Sequence, residues 1–243
     1  MAHMLTARRP SAPCPAWAIL CDFDGTIALD DVVDSLLELY GLPGWATLEQ
    51  RWRDGRIGSL ECMRGQVALL EVGAEELHAY VDSVAIDPAF PAFVERARAL
   101  AMPVRVVSDG LDLVIRRILA RCGLGDLPVS ANELLAAEVP RRWRLNSPHT
   151  ARGCSSGTCK CALLNTPGTD LSLMIGDGAS DFCVAAKADF VFAKSKLADY
   201  CRSEGIPHLP ISGFAEALEL LPTLGELGQT LPTPRRRLSR PQF

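Results

Sequence analysis

No stretch of the 243-residue sequence approaches the roughly 20 consecutive apolar residues that a membrane-spanning helix needs, so no membrane partner is expected. A surplus of positive charge is missing too. Lys and Arg number 25 against 29 Asp and Glu, a formal net charge of -4, and that balance gives no general field for nucleic acid or anionic lipid. Basic residues do crowd at Arg141, Arg142 and Arg144, and again at Arg235, Arg236 and Arg237. Short runs of this kind ordinarily belong to a solvated face or a loose tail. No secretory leader is expected: after Arg8 and Arg9 the apolar run Ala16 to Cys21 is short and passes straight into acidic residues. Met1-Ala2-His3-Met4 reads as a vector-derived leader before a start at Met4, and a cytoplasmic location is expected. The even cysteine count of a disulfide framework is absent as well. There are nine, at 14, 21, 62, 122, 154, 159, 161, 183 and 201. Most sit in apolar segments such as Ile19-Leu20-Cys21 and Phe182-Cys183-Val184, which suits reduced, buried thiols. Cys154, Cys159 and Cys161 crowd together, yet a structural zinc site takes four ligands, commonly with two-residue spacers. His149 would have to complete the set.

What is present is an ordinary globular composition, 48% hydrophobic and 22% charged, in a chain long enough for one well-buried core with a smaller insertion. Apolar runs that end in polar or acidic residues alternate with helical patterns. Ala16 to Asp22, Pro103 to Asp109, Leu127 to Asn132, Leu171 to Asp177, Phe190 to Ala193 and His208 to Ile211 read as strands. Between the first two runs the period changes. Val32, Val33, Leu36, Leu37 and Tyr40 recur at helical spacing, and further helices are expected near 45–54, 59–71 and 74–85. Helices are also expected over 93–101, 111–122 and 195–203. Residues 135–158 break any period with Pro140, Pro148, Gly153 and Gly157. The alternation predicts an α/β fold, a doubly wound, Rossmann-like parallel sheet. The division expected is a core over 16–29 and 86–222, a helical lid over 30–85, and flexible tails at 1–15 and 223–243, with disorder from about Leu221.

Sites in such sheets lie at the carboxyl ends of the strands, and three of the expected strands end in Asp22, in Ser108-Asp109 and in Asp177. In Asp22-Phe23-Asp24-Gly25-Thr26 two carboxylates leave a strand end two residues apart, and Gly25 permits a sharp turn. One carboxylate can accept a phosphoryl group; the other can protonate a leaving alkoxide and later activate water. An acidic turn is the plainer reading of that pentapeptide alone. The Ser108 hydroxyl, with backbone N–H groups beside it at Asp109, can hold phosphoryl oxygens, although a strand-end serine is usually a turn former. Lys160, in Gly157-Thr158-Cys159-Lys160, can offset phosphoryl and carboxylate charge; most lysines simply lie on the surface. In Gly176-Asp177-Gly178-Ala179-Ser180-Asp181 two carboxylates stand one turn apart, suited to a hard cation or to helix capping.

Asp22-x-Asp24-Gly25-Thr26, Ser108, Lys160 and Gly176-Asp177-Gly178-x-x-Asp181, in that order, resemble the four motifs of the haloacid dehalogenase-like phosphatases over residues 17–220. The insertion after the first motif is similar to the lid of the phosphoserine-phosphatase-like branch. Asp87-Pro88-x-Phe90, Val107 to Asp112, Ala131-Asn132 and Gly157 to Lys160 resemble the group of that branch acting on the enol phosphate of methionine salvage. The resemblance implies a fold of the haloacid dehalogenase type with an inserted lid, and a small-molecule phosphate ester as substrate. It implies Asp22 as nucleophile and Asp24 as acid/base. Ser108 and Lys160, with Asp109, would hold phosphate. Mg²⁺ would be held by Asp22, Asp24 through its carbonyl, and Asp177, with Thr26, Gly178 and Asp181 in support. Phosphoserine would call instead on Asp30 or Asp31 and on Arg56 or Arg64. A phosphotransferase and a non-catalytic member of the fold are the other readings open at this point.

Overall fold

Residues 15–231 are described by a computed structural model. The expected N-terminal tail, Cys14 and Arg235 to Arg237 lie outside the described residues. The first strand, β1 (Trp17–Cys21), is buried at every position, as a strand with helices on both faces must be. Four helices follow before the next strand: α1 (Val32–Tyr40), α2 (Trp45–Arg53), α3 (Ser59–Ala68) and α4 (Ala74–Ser83). Then come α5 (Phe90–Ala99), β2 (Val104–Leu111), α6 (Asp112–Arg121), β3 (Val129–Ala136), β4 (Trp143–Asn146) and β5 (Leu171–Gly176). The chain continues through α7 (Phe182–Ala185), β6 (Phe190–Ala193), α8 (Ser195–Glu204), β7 (His208–Pro210), α9 (Phe214–Leu220) and α10 (Leu224–Thr230).

The strands form one seven-stranded sheet in the order β4-β3-β2-β1-β5-β6-β7. All neighbours run parallel except β4, which pairs antiparallel with β3 through Glu133↔Asn146 to Ala136↔Trp143. Side-chain alternation divides the core into two layers. Ile19, Cys21, Leu173 and Ile175 face one layer, Leu20, Met174 and Val191 the other. Because β1 pairs with β2 on one side and β5 on the other, the winding reverses at β1. Its carboxyl end, where Asp22 begins, is therefore the crevice at which open α/β sheets bind ligands.

Two anchors close this core. Phe214 meets Phe90 and Phe93 edge to face, at centroid distances of 4.7 and 5.0 Å. Asp87 ties the starts of α5 and α9 together, accepting from the backbone N–H of Ala89 at 2.9 Å and of Phe214 at 2.8 Å. The segment expected to lose order from Leu221 instead continues as a helical turn and α10. The Trp17 indole donates to the Leu224 carbonyl at 3.1 Å and Leu224 is buried; that burial outweighs the Pro- and Gly-rich local sequence.

The helices between β1 and α5 are fastened to the sheet at three places. Arg117 pairs with Asp82 at 2.5 Å, and Arg121 donates to the carbonyls of Asp82 and Val84. The irregular stretch before Lys160 supplies the second fastening. There Arg141 pairs with Glu76 at 2.7 Å, the Arg142 guanidinium donates to Ala68, and the Trp143 indole donates to Val72 at 2.9 Å. Arg141 is exposed, as expected of a solvated face, while Arg142 is half-buried against the insertion. The third fastening lies at the site itself.

Candidate active site

Asp22 follows β1 directly, and its N–H donates to the Ile175 carbonyl of β5 at 2.9 Å. The loop then folds back sharply, with the N–H groups of Thr26, Ile27 and Ala28 all directed at the Phe23 carbonyl. Gly25 sits at φ 67°, and a Cβ there would lie 2.7 Å from Asp177 Oδ2. Glycine is needed both for the left-handed backbone and for the close passage. The ends of β1 and β5 are thereby brought together, and the Thr26 hydroxyl donates to Asp177 Oδ1 at 3.0 Å.

Lys160 opens a 3₁₀ turn, Lys160–Leu163. Its ammonium is buried and bridges two carboxylates, 2.8 Å from Asp22 Oδ1 and 2.6 Å from Asp181 Oδ1. Burial alone would push the Lys160 pKa down, but Asp181 and Asp22 together raise it well above its ordinary value. Asp22 is pushed upward by burial and by Asp181, with Lys160 pulling it back. Asp181 Oδ2 accepts from the backbone N–H of Asp177 at 3.2 Å and Gly178 at 3.5 Å, so both oxygens of Asp181 have partners inside the protein.

Asp24 is only partly buried, where the first loop meets the insertion. Its Oδ1 accepts from the Val32 N–H at 3.0 Å, tying the first loop to α1. Burial first, and then repulsion from Asp31, push its pKa up to about 8, so the carboxyl holds a proton at neutral pH. Asp31 itself caps α1, accepting from the Asp34 N–H at 2.9 Å. Ser108 is buried where β2 becomes irregular, and its hydroxyl accepts from the Gly110 N–H at 2.9 Å. A Cβ on Gly110 would come 2.5 Å from Asp24 Oδ2, so β2 and the first loop meet with no room between them.

Asp109, expected among the phosphate ligands, has its side chain engaged within the protein. Its carboxylate is taken up by the Thr158 N–H at 2.9 Å, the Asn132 amide at 3.1 Å and the Ser59 hydroxyl. A carboxylate also repels phosphoryl oxygens, so only the backbone N–H of Asp109 suits that task. The side chain is instead the third fastening of the insertion, joining α3 to β2, β3 and the Lys160 loop. Leu60 N–H reinforces it with a 3.0 Å bond to the Ser155 carbonyl.

Sequence reasoning missed Lys194. Its ammonium donates to the Gly25 carbonyl at 2.8 Å and the Thr26 carbonyl at 3.3 Å, and its charge reaches Asp177. Nothing local marks it: it precedes α8 as an ordinary helix-start residue.

The donor set fits a small hard cation. Carboxylate oxygens of Asp22, Asp177 and Asp181 lie within 4.8 Å of one another. Asp181 is engaged by Lys160, while among the described residues no hydrogen bond reaches Oδ2 of Asp22 or of Asp177. Mg²⁺ commonly takes one or two carboxylates and keeps several waters. Cys154, Cys159, Cys161 and His149 form no such group among the described residues; Cys159 meets His149 only by donating its N–H to the His149 carbonyl at 2.9 Å.

Comparison with known proteins gives a consistent result. A 2-hydroxy-3-keto-5-methylthiopentenyl-1-phosphate phosphatase of Brevibacillus brevis is 28% identical over 210 residues, covering 84% of this chain and 94% of the relative. A protein of the same name from Exiguobacterium sp. is 26% identical over 208 residues, covering 81% and 93%. Among solved structures, a haloacid dehalogenase family hydrolase of Salmonella enterica serovar Typhi superposes with a TM-score of 0.68 at 20% identity, covering 86% of this chain and 72% of that one. A substrate-bound phosphoserine phosphatase gives 0.66 at 19% identity, covering 84% and 97%. The sequence profile of the haloacid dehalogenase-like hydrolases matches residues 19–186, and the chain belongs to that family.

Proposed function

We propose that this phosphatase hydrolyses the phosphate monoester of a small metabolite through an aspartyl-phosphate on Asp22, with Mg²⁺ as cofactor. The observation that carries the reading is the buried Lys160 ammonium set between Asp22 and Asp181, beside Asp177. In this reading Lys160 and Ser108 hold the phosphoryl oxygens, and the Asp22 carboxylate attacks phosphorus. Asp24, kept protonated by burial, gives its proton to the departing alkoxide and then takes one from the attacking water. Asp22, Asp177 and the Asp24 carbonyl would hold Mg²⁺, which would offset phosphoryl charge. Lys194 and Thr26 fix the loop and the Asp177 carboxylate. The helices 30–85 serve as the cap that excludes water during transfer.

The leading substrate is 2-hydroxy-3-keto-5-methylthiopentenyl-1-phosphate, which the sequence relatives are named for. Phosphoserine is less well supported. Arg56 is exposed and paired with Asp54 at 3.5 Å, and Arg64 is exposed, so neither arginine is buried in a substrate pocket. The test is release of inorganic phosphate from p-nitrophenyl phosphate and from a metabolite panel. Turnover should need Mg²⁺, vanish with EDTA and return on adding Mg²⁺, with Ca²⁺ a poor substitute because it prefers looser, higher coordination. Full turnover after exhaustive chelation would remove the metal, and no turnover under any condition would favour a binding protein on this fold.

A further inference from the structure

Among the described cysteines one pair stands apart. Cys161 Sγ lies 3.2 Å from Cys183 Sγ, although both are free thiols. Cys183 is exposed and Cys161 is half-buried, so a small reagent can reach them. Cys183 was expected to be a buried thiol; the α7 helix turns it to solvent instead. The sulfurs need approach by only about 1 Å to reach a bonded separation of about 2.0 Å. The two thiols also sit on the elements that carry the catalytic ion pair. Cys161 is next to Lys160 in the 3₁₀ turn, and Cys183 follows Asp181 into α7.

We infer that Cys161 and Cys183 form a redox-active dithiol, a modification site for low-molecular-weight disulfides of the glutathione class, whose oxidation displaces Lys160 and slows turnover. Cys161 is the attacking sulfur. The hydrogen bond from Cys183 lowers its pKa to about 6, with Lys187 adding to the effect against burial, so thiolate is available at neutral pH. The thiolate attacks one sulfur of the small disulfide, forms a mixed disulfide and expels one small thiolate. Cys183 then gives its proton to solvent and attacks Cys161 Sγ, which expels the second. The two protein thiols are oxidised to one disulfide, and the small disulfide is reduced to two thiols. The new bond draws the Lys160 turn toward α7. Lys160 holds Asp22 and Asp181 at 2.8 and 2.6 Å, and a displacement near 1 Å in a positioning group acts on rates by roughly tenfold to a hundredfold.

This effect on turnover rests on the phosphatase reading, while formation of the bond does not, and the experiment keeps them apart. The reduced protein is first assayed with p-nitrophenyl phosphate and Mg²⁺, which tests the activity alone. It is then treated with oxidised glutathione, alkylated, digested without reductant and mapped by mass spectrometry, beside the Cys161→Ser variant. The expected result is a cross-linked peptide pair joining Cys161 to Cys183. Turnover should fall by roughly tenfold or more, dithiothreitol should restore it, and Cys161→Ser, which lacks the attacking thiol, should keep its reduced-state activity through the treatment. The proposal is overturned if that bond does not form, if Cys154–Cys159 forms in its place, if the bond forms with turnover unchanged, or if Cys161→Ser is inhibited like the parent.

Discussion

In the proposed mechanism Lys160 serves both the fold and the chemistry. Its ammonium is buried between two carboxylates, and removing one partner of such a group leaves uncompensated charge, a loss of about 3–5 kcal/mol. Lys160→Met should therefore lower stability by about that amount in urea unfolding and abolish turnover. Adding Asp181→Asn should recover part of the stability, because one stranded carboxylate is gone, and should recover no activity. A Lys160→Met protein as stable and active as the parent would contradict both roles. At this scale the sequence was informative where a residue's role follows from its immediate neighbours: Asp22, Asp24 and Asp177 all sit where a strand ends. It carried no sign of where the Asp109 carboxylate goes. The partners that occupy that carboxylate, Ser59, Asn132 and Thr158, lie 50, 23 and 49 residues away, and no local pattern announces them.

Between elements, Asp109 couples the insertion to the loop that carries Lys160. A hydrogen bond to a charged group contributes about 1.5–3 kcal/mol, enough to bias whether α3 rests on the core. Ser59→Ala should raise hydrogen exchange across residues 59–68 and reduce kcat/KM severalfold, while the rest of the sheet stays protected. Unchanged exchange in α3 would show that the Ser155 and Arg142 contacts suffice. The C-terminal helix gives a second prediction. Leu224 is buried and its carbonyl receives the Trp17 indole, so ending the chain at Thr223 should destabilise it by about 2–4 kcal/mol in urea unfolding. A truncated protein of full stability would make α10 an ornament of the surface. The strands β1, β2, β5 and β6 were legible from their largely apolar runs. β4 was not. Its four residues, Trp143 to Asn146, alternate between half-buried and exposed, and what makes them a strand is pairing with β3 rather than their own sequence.

Over the whole molecule, the reversal of winding at β1 sets Asp22 at the switch point, with Ser108 from one side of the sheet and Asp177 from the other. Alternation of strands and helices carried that much of the architecture in advance. How the insertion sits on it depends on contacts of Asp82, Arg141, Arg142 and Ser59 that link distant parts of the chain. In the proposed mechanism a phosphoryl group passes through Asp22 while Asp24 moves the proton. Rapid-quench mass spectrometry of Asp24→Asn reacting with p-nitrophenyl phosphate tests it most directly. That leaving group needs little protonation, so the first step should persist, while water attack slows by roughly 10²–10⁴-fold. A p-nitrophenol burst and a phosphorylated peptide containing Asp22 are expected. Steady turnover with no burst and no phosphate on that peptide would contradict it.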